Sequence, residues 1–589
     1  MSFHPNDVAR RARSSSMLLF VGFLLLVGAF FRTQVIQNKQ YVMQSEENRL
    51  RPIPLPAPRG IIYDRHGEVI AENLPAYAVS ITAPNVDSLR SALAQLSQTL
   101  QLTPNDISQA VRRFRRAPTR PTVILPDASI DIVSVLEEHR LDFPRLIIQS
   151  VPKRYYPDGP AVASFVGYTG EITESDLNDP KYANYKPGQQ IGKGGLEKQY
   201  ENRLHGREGV RFDEVDARGR PIRGEGGPRP DLDPENAPPL YTNIDLDLQK
   251  FTVGVFGDSL QGGAIAIDPN TGEVLALYSA PSFDPNKFTG GIPVEYYKEL
   301  LTDPKRPLVN KAIQGTYPPG STFKLATSVI ALQNGLVGLK EHMPVSCSGG
   351  YQYGSRYFRC WDKRGHGSVD LEGAIKHSCD VYFYQLGLKI GLTRFIAGGI
   401  SMTMRDKSGI DLPEENQPRW PYAIDYYNKK YGPRGWSNAE VLNLAIGQGA
   451  NSQTVVNMAK FYTALATDGR AARPEIARLT PDRKPIFRIS AEQKATVLEG
   501  LKAVLEAGGT AGASAIQGLT LAGKTGTAQN TGGPDHGWFV GFAPAENPKI
   551  VVAVLLEFGL HGSRAAHIAS AIIGHYLKVG PINATMDEG

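Results

Sequence analysis

The stretch Gly315-Thr316-Tyr317-Pro318-Pro319-Gly320-Ser321-Thr322-Phe323-Lys324 decides how this chain is read. Two prolines fix φ and a glycine permits a turn, so no helix is expected before Ser321. Beyond it Phe323, Ala326, Val329, Ile330 and Leu332 recur at helical spacing, and Gly335 suits the helix end. Ser321 therefore stands at a helix N-terminus, with Lys324 one turn on and on the same face. A serine hydroxyl becomes a nucleophile when a base takes its proton. Burial and the positive end of a helix both favour the neutral amine that such a base requires. A capping serine beside a lysine with a packed stem gives the same text, so the rest of the chain must decide.

Two further stretches do so. Ser378-Cys379-Asp380 falls in a turn between predicted helices, and Lys524-Thr525-Gly526-Thr527 follows a strand-like run from Leu519 to Gly523. Their residue types complete an acyl-transfer site. Ser321 attacks and Lys324 receives its proton. Ser378 passes a proton between Lys324 and a leaving amine. Lys524, with the Thr525 and Thr527 hydroxyls, holds a carboxylate. Gly526 leaves the strand bare for an extended peptide added as a further strand. The backbone N–H groups of Ser321 and Thr527 would form the oxyanion hole. This chemistry needs no cofactor.

Outward from the site, Gly263 to Asp268 and Glu273 to Ser279 are expected as strands around the turn Pro269 to Gly272. Leu519 to Thr527, Gly537 to Ala543 and Ile550 to Phe558 are three more, followed by a helix from Ala565 to Leu577. Two early and three late strands, with helices between and after, imply an α+β fold with a five-stranded antiparallel sheet covered by helices.

The 589 residues exceed one core, and 41% hydrophobic with 21% charged residues is ordinary for globular chains. A net charge of +5 is small for this length, and no nucleic-acid-binding motif appears, so no nucleic acid is expected. Arg10, Arg11 and Arg13 precede the uncharged run Ser14 to Phe31. That run reads as an uncleaved signal anchor with its basic side in the cytoplasm and the bulk of the chain outside it. The expected division is a cytoplasmic tail at 1–13, a transmembrane anchor at 14–32, an N-terminal pedestal at 33–235 and a catalytic domain at 236–589. A polar helical stalk is expected from Gln34 to Arg51, then extended chain through Pro52, Pro54, Pro56 and Pro58. Helices are expected at Val86 to Thr99 and from Pro104 to an arginine-rich end at Arg116, and a linker at Gly224 to Pro239. The glycines of Gly192-Lys193-Gly194-Gly195-Leu196-Glu197 match no phosphate-loop pattern and read as a turn into a helix.

The three catalytic motifs, in this order, make the sequence resemble the class B penicillin-binding proteins, and most closely their elongation-specific members, the penicillin-binding protein 2 group. Arg59 to Gly67 (RGIIYDRHG) and Gly192 to Glu197 are similar to motifs of that family's N-terminal region. Asp284-Pro285-Asn286, Asn310-Lys311-Ala312, Tyr317 to Lys324, Gly447-Gln448-Gly449 and Lys524 to Thr527 are similar to those of its catalytic domain. The resemblance implies a peptidoglycan D,D-transpeptidase. Ser321 would be acylated by the D-Ala-D-Ala of one stem peptide, presented on a lipid-linked precursor or glycan strand, and a neighbouring stem amine would resolve the ester. β-Lactams would acylate the same serine. A RodA-type glycosyltransferase and an MreC-like scaffold are the partners that the family implies. Asp380 stands where many relatives have Asn, and a carboxylate cannot donate to a substrate carbonyl as an amide can. The alternatives are a division-specific transpeptidase, or a scaffold that activates a partner polymerase and has secondary catalysis. The chain exceeds a secreted β-lactamase about twofold in length, residues 33–235 do not read as a glycosyltransferase, and a β-lactam sensor would need further spanning helices.

All three cysteines, Cys347, Cys360 and Cys379, lie close together in sequence, with His366 between the last two. Cys₃His is a closed tetrahedral zinc set, and the odd count favours a structural zinc. A Cys347–Cys360 disulfide with Cys379 free is the competing reading in an oxidising compartment, and three free thiols the third.

Overall fold

The computed structural model describes residues 5–39, 50–100, 102–118, 120–143, 145–214, 230–530 and 532–579. The start of the expected cytoplasmic tail, most of the stalk and the first part of the expected linker lie outside these residues. One helix runs from Pro5 to Phe31, and Ala9–Ile36 is long and apolar enough to cross a membrane. None of that segment is buried, and Leu18, Leu19 and Leu25 each expose at least 70% of their surface.

The chain forms two compact units. The smaller comprises Met1–Pro58, Pro75–Pro152 and Gly206–Asn236; the larger comprises Arg59–Leu74, Lys153–His205 and Ala237–Gly589. The expected single cut at 235/236 is therefore replaced by an interleaved division, in which two stretches from before that cut fold with the catalytic part.

In the smaller unit Leu50–Leu55 pairs antiparallel with Gly209–Glu214, Pro52 opposite Phe212 and Pro54 opposite Val210. The prolines thus lie in a two-stranded ribbon, where an edge tolerates their missing N–H groups. Helices Val86–Leu100 and Pro104–Arg116 form as expected. The second starts with a capping box between Thr103 and Asp106. Leu89, Leu93, Leu96, Val111 and Phe114 bury their apolar faces with Val79, Ile81, Leu136 and Leu146.

The larger unit is built on an antiparallel sheet. In chain order its principal elements are α1 (Leu246–Phe256), β1 (Gly262–Ile267), β2 (Val274–Ala280), α2 (Lys324–Gln333), α3 (Leu371–Lys376), α4 (Asp380–Ile390), α5 (Val455–Ala466), α6 (Ala491–Ala503), β3 (Ala522–Ala528), β4 (His536–Ala543), β5 (Ile550–Leu556) and α7 (Gly562–Leu577). The strand order is β2-β1-β5-β4-β3, which places β3 at an edge. Every residue of β1, β2, β4 and β5 is buried, which requires cover on both faces. Helices α1, α5 and α7 supply it.

The two interleaved stretches meet each other through charge. Arg59 donates to Glu197 Oε2 at 3.0 Å and to Glu201 Oε2 at 2.8 Å, and Arg154 donates to Glu197 Oε1 at 2.6 Å. Arg59, Arg154, Glu197 and Glu201 are all buried. Asn286 accepts from Tyr156 N and donates to Tyr156 O, both at 2.9 Å, so Asp284-Pro285-Asn286 fastens Lys153–His205 to the sheet domain.

Candidate active site

The serine turn is placed by glycines. Gly320–Phe323 is a 3₁₀ turn that runs directly into α2. Gly320 has φ +54°, and a Cβ there would sit 2.5 Å from Thr527 O and 3.3 Å from Thr527 N. A Cβ on Gly526 would sit 2.9 Å from Pro319 O, and one on Gly447 would sit 2.2 Å from Gly320 O. Three backbones therefore meet where side chains are absent: the serine turn, β3 and the Gly447-Gln448-Gly449 loop. Gly320 N donates to Gly447 O at 3.0 Å, Gln448 Nε2 to Thr527 O at 3.2 Å and Trp538 Nε1 to Pro318 O at 3.0 Å. The expectation that Gly526 is bare for substrate needs a physical correction. Its missing side chain is what lets β3 close on the Pro319 carbonyl.

Lys324 is completely buried, whereas Ser321 is partly exposed. Lys324 Nζ donates to Ser378 O at 2.7 Å, Ser378 Oγ at 3.1 Å and Asp380 Oδ1 at 2.8 Å. An ammonium has three donors, and these acceptors occupy all three. No hydrogen bond joins Lys324 to Ser321 among the described residues. In this arrangement Lys324 Nζ is turned towards Asp380 and Ser378.

Ser378 owes its position to a helix end. Helix α3 closes with Ser378 N bonded to Ile375 O at 3.2 Å and Cys379 N to Ala374 O at 3.0 Å, the Schellman pattern. The left-handed residue of that pattern is usually glycine, but here it is Ser378, at φ +52°. A strained serine persists where its hydroxyl is needed, and this one faces Lys324 Nζ. Helix α4 starts two residues later with Asp380, whose Oδ2 accepts from Trp361 N at 3.0 Å. Burial pushes the Asp380 carboxyl up, and Lys324 only partly opposes this.

On β3, Lys524 is fully buried and its Nζ donates to Thr525 O at 3.2 Å. Burial, with the charge of Lys324 nearby, holds its amine well below the usual lysine range. Thr525 Oγ1 lies 2.6 Å from Thr510 Oγ1. Thr527 is partly exposed beside the serine turn.

Cys347, Cys360 and Cys379 are buried and free, so no disulfide joins them. Their sulfurs and a His366 ring nitrogen all lie within 4.8 Å of one another. Cys347 Sγ and Cys360 Sγ are each 3.6 Å from His366 Nδ1. A hydrogen bond from Cys379 draws the Cys360 thiol down into the thiolate range. The cluster adjoins the active site at both ends, since Cys379 precedes Asp380 and Cys360 precedes Trp361.

Residues 262–574 match the penicillin binding protein transpeptidase domain, more than half of the chain, and residues 54–231 match the penicillin-binding protein dimerisation domain. The chain belongs to the penicillin-binding-protein transpeptidase family. The peptidoglycan D,D-transpeptidase MrdA of Acinetobacter baumannii is 32% identical over 96% of this chain and 87% of its own length. The penicillin-binding protein PBP2 of Helicobacter pylori, solved in complex with MreC, superposes with a TM-score of 0.79 at 26% identity, covering 90% of this chain and 99% of that one. A peptidoglycan synthase complex that coordinates polymerization and crosslinking superposes with a TM-score of 0.70 at 28% identity, over 97% and 99% of the two chains.

In this penicillin-binding protein the structure brings Ser321, Lys324, Ser378, Asp380, Lys524, Thr525, Gly526 and Thr527 together where α2, the turn before α4 and β3 meet. Gln448 and Thr510 joined them without being singled out for a role. Gln448 is carried by a family motif, which was a signal for it. Thr510 lies in a glycine-rich loop with no motif of its own, and only the fold brings it to Thr525.

Proposed function

We propose that this chain is a membrane-anchored peptidoglycan D,D-transpeptidase of wall elongation that works through a Ser321 acyl-enzyme. What carries this reading is the convergence of Lys324, Ser378 and the Lys524–Thr527 strand on the Ser321 turn, within a chain that resembles the MrdA enzymes over nearly its whole length. Ser321 Oγ attacks the carbonyl of the penultimate D-Ala while neutral Lys324 takes its proton. Ser378 returns a proton to the departing D-Ala amine. The N–H groups of Ser321 and Thr527 stabilise the oxyanion; the nearness of the Thr527 peptide to Gly320 supports this pairing. Lys524, Thr525 and Thr527 hold the terminal carboxylate. The amine of a second stem then displaces Ser321 and the cross-link forms. β-Lactams present the same carbonyl and carboxylate, and so acylate Ser321.

The basic residues before the apolar helix support an N-terminus in the cytoplasm and the catalytic part in the periplasm. The match to a dimerisation domain supports a pedestal role for the part of 33–235 that forms the smaller unit. The relatives solved with MreC and in a synthase complex support an MreC-like scaffold and a RodA-type glycosyltransferase as partners.

Cys347, Cys360, His366 and Cys379 are proposed to hold a structural zinc. With Zn–S near 2.3 Å and Zn–N near 2.0–2.1 Å, a tetrahedral site has S···N edges of about 3.6 Å. The Cys347 and Cys360 S···N distances of 3.6 Å suit such a site, while the four ligand atoms as a set lie within 4.8 Å of one another. The ion would tie the loop that carries Trp361 to the turn that carries Asp380.

Labelled penicillin tests the enzyme reading. It should bind the wild-type chain covalently and fail to bind Ser321→Ala; labelling of the variant would overturn it.

A further inference from the structure

Thr510 and Thr525 face each other with their hydroxyl oxygens 2.6 Å apart, and neither hydroxyl has another hydrogen-bond partner among the described residues. A threonine hydroxyl has one proton and two lone pairs. If Thr525 spends its proton on Thr510, it offers a substrate carboxylate only lone pairs, which repel it. If Thr510 is the donor, the Thr525 proton is free for the carboxylate. We infer that Thr510 is a positioning residue for the substrate's terminal carboxylate, setting the Thr525 hydroxyl as a donor through a Thr510→Thr525→carboxylate relay. The inference rests on the carboxylate role proposed for Lys524 and Thr525.

The loop that carries Thr510 is shaped to aim one side chain. It folds back on the end of α6, with Ala511 N bonded to Val504 O and Gly509 N to Glu506 O, both at 2.9 Å. Gly508 has φ +77°, and a Cβ on Gly509 would lie 2.3 Å from Ala503 O. Helix α6 itself packs on both β3 and α3, with a Cβ at Gly500 reaching Ile375 at 3.0 Å. The hydroxyl is therefore referred to the same frame that holds Ser378.

The test compares acylation of the full-length chain by a penicillin and by its methyl ester, which lacks the carboxylate charge. Thr510→Val should slow acylation by the acid roughly five- to tenfold and leave the ester within about twofold, the scale of one hydrogen bond between neutral groups. Thr510→Ser keeps the hydroxyl and should retain the wild-type preference for the acid. Equal losses on acid and ester, or no loss on the acid, would overturn the relay. If Thr510→Val melts too low to assay, Thr510→Ala carries the same comparison. A wild-type chain indifferent to the ester would overturn the relay together with the carboxylate role of Lys524 and Thr525. Ser321→Ala that still took label would instead remove the acyl-enzyme reading.

Discussion

Lys324 Nζ lies 2.8 Å from Asp380 Oδ1, and the other oxygen of that carboxylate receives the Trp361 N–H at 3.0 Å. The base and the loop beside the cysteine cluster therefore share one anion. Asp380→Ala leaves the buried Lys324 Nζ and the Trp361 N–H without this acceptor and should destabilise the chain by about 3–5 kcal/mol. Unchanged urea unfolding would show that the shared anion does not hold the loop to the site.

Ser378 occupies the left-handed place that glycine prefers at the end of α3. Ser378→Gly relieves a left-handed residue and should raise the stability of the chain by about 1 kcal/mol while lowering acylation about a hundredfold. Thermal melting and labelling rates read the two effects separately. A variant that loses both would show that the hydroxyl serves packing alone.

Lys524 is held neutral more readily than an ordinary lysine because it is buried and faces Lys324. A carboxylate ligand restores its charge. Between its lowered value and the ordinary lysine range, ligand binding should take up a proton. Calorimetry with a carboxylate ligand in two buffers of different ionisation enthalpy detects this, using Ser321→Ala to prevent acylation. The same measurement with Lys524→Met added should show no uptake.

The buried Arg59–Glu201 contact makes the larger unit sensitive to acid. Burial works to raise the Glu201 carboxyl, but His205, the charge of Arg59 and the Gly192 N–H outweigh it and bring it from 4.5 to about 2. A carboxyl depressed on folding contributes stability that is complete above about pH 4.5 and is lost as pH falls towards 2. The contribution is of the order of 3 kcal/mol at neutral pH. Unfolding by urea between pH 5 and pH 2 should show this slope, and Glu201→Gln should flatten it.

Metal analysis of the chain purified without chelator should find one zinc per molecule. Cys360→Ser should lose the metal and several degrees of thermal stability. Absence of zinc from the wild-type chain would remove the structural-zinc reading.

The strands and the main helices could be read from apolar runs and turn residues, because periodicity is local. So could Ser321, Lys324, Ser378 and Lys524, since each sits in a short motif. What could not be read depends on distant segments coming together. Gly526 suggested an open strand, yet its partner is Pro319, some two hundred positions away. Thr510 has no local mark at all. The interleaved units were hidden because Arg59 finds Glu197 and Glu201, and Tyr156 finds Asn286, only in three dimensions. Pro52 and Pro54 suggested extended chain, which they form, but their partner strand at Gly209–Glu214 leaves no trace near them.

The junction of Gly320, Gly447 and Gly526 has a consequence for how this site can change over time. The Ser321 turn is located by main chain against main chain, whereas the roles proposed for Lys324, Ser378 and Lys524 belong to side chains on the surrounding walls. Location and reactivity would thus be under separate control. A wall residue such as Asp380 could then be exchanged without moving the turn, whereas an added carbon at any of the three glycines would displace the backbone that carries Ser321.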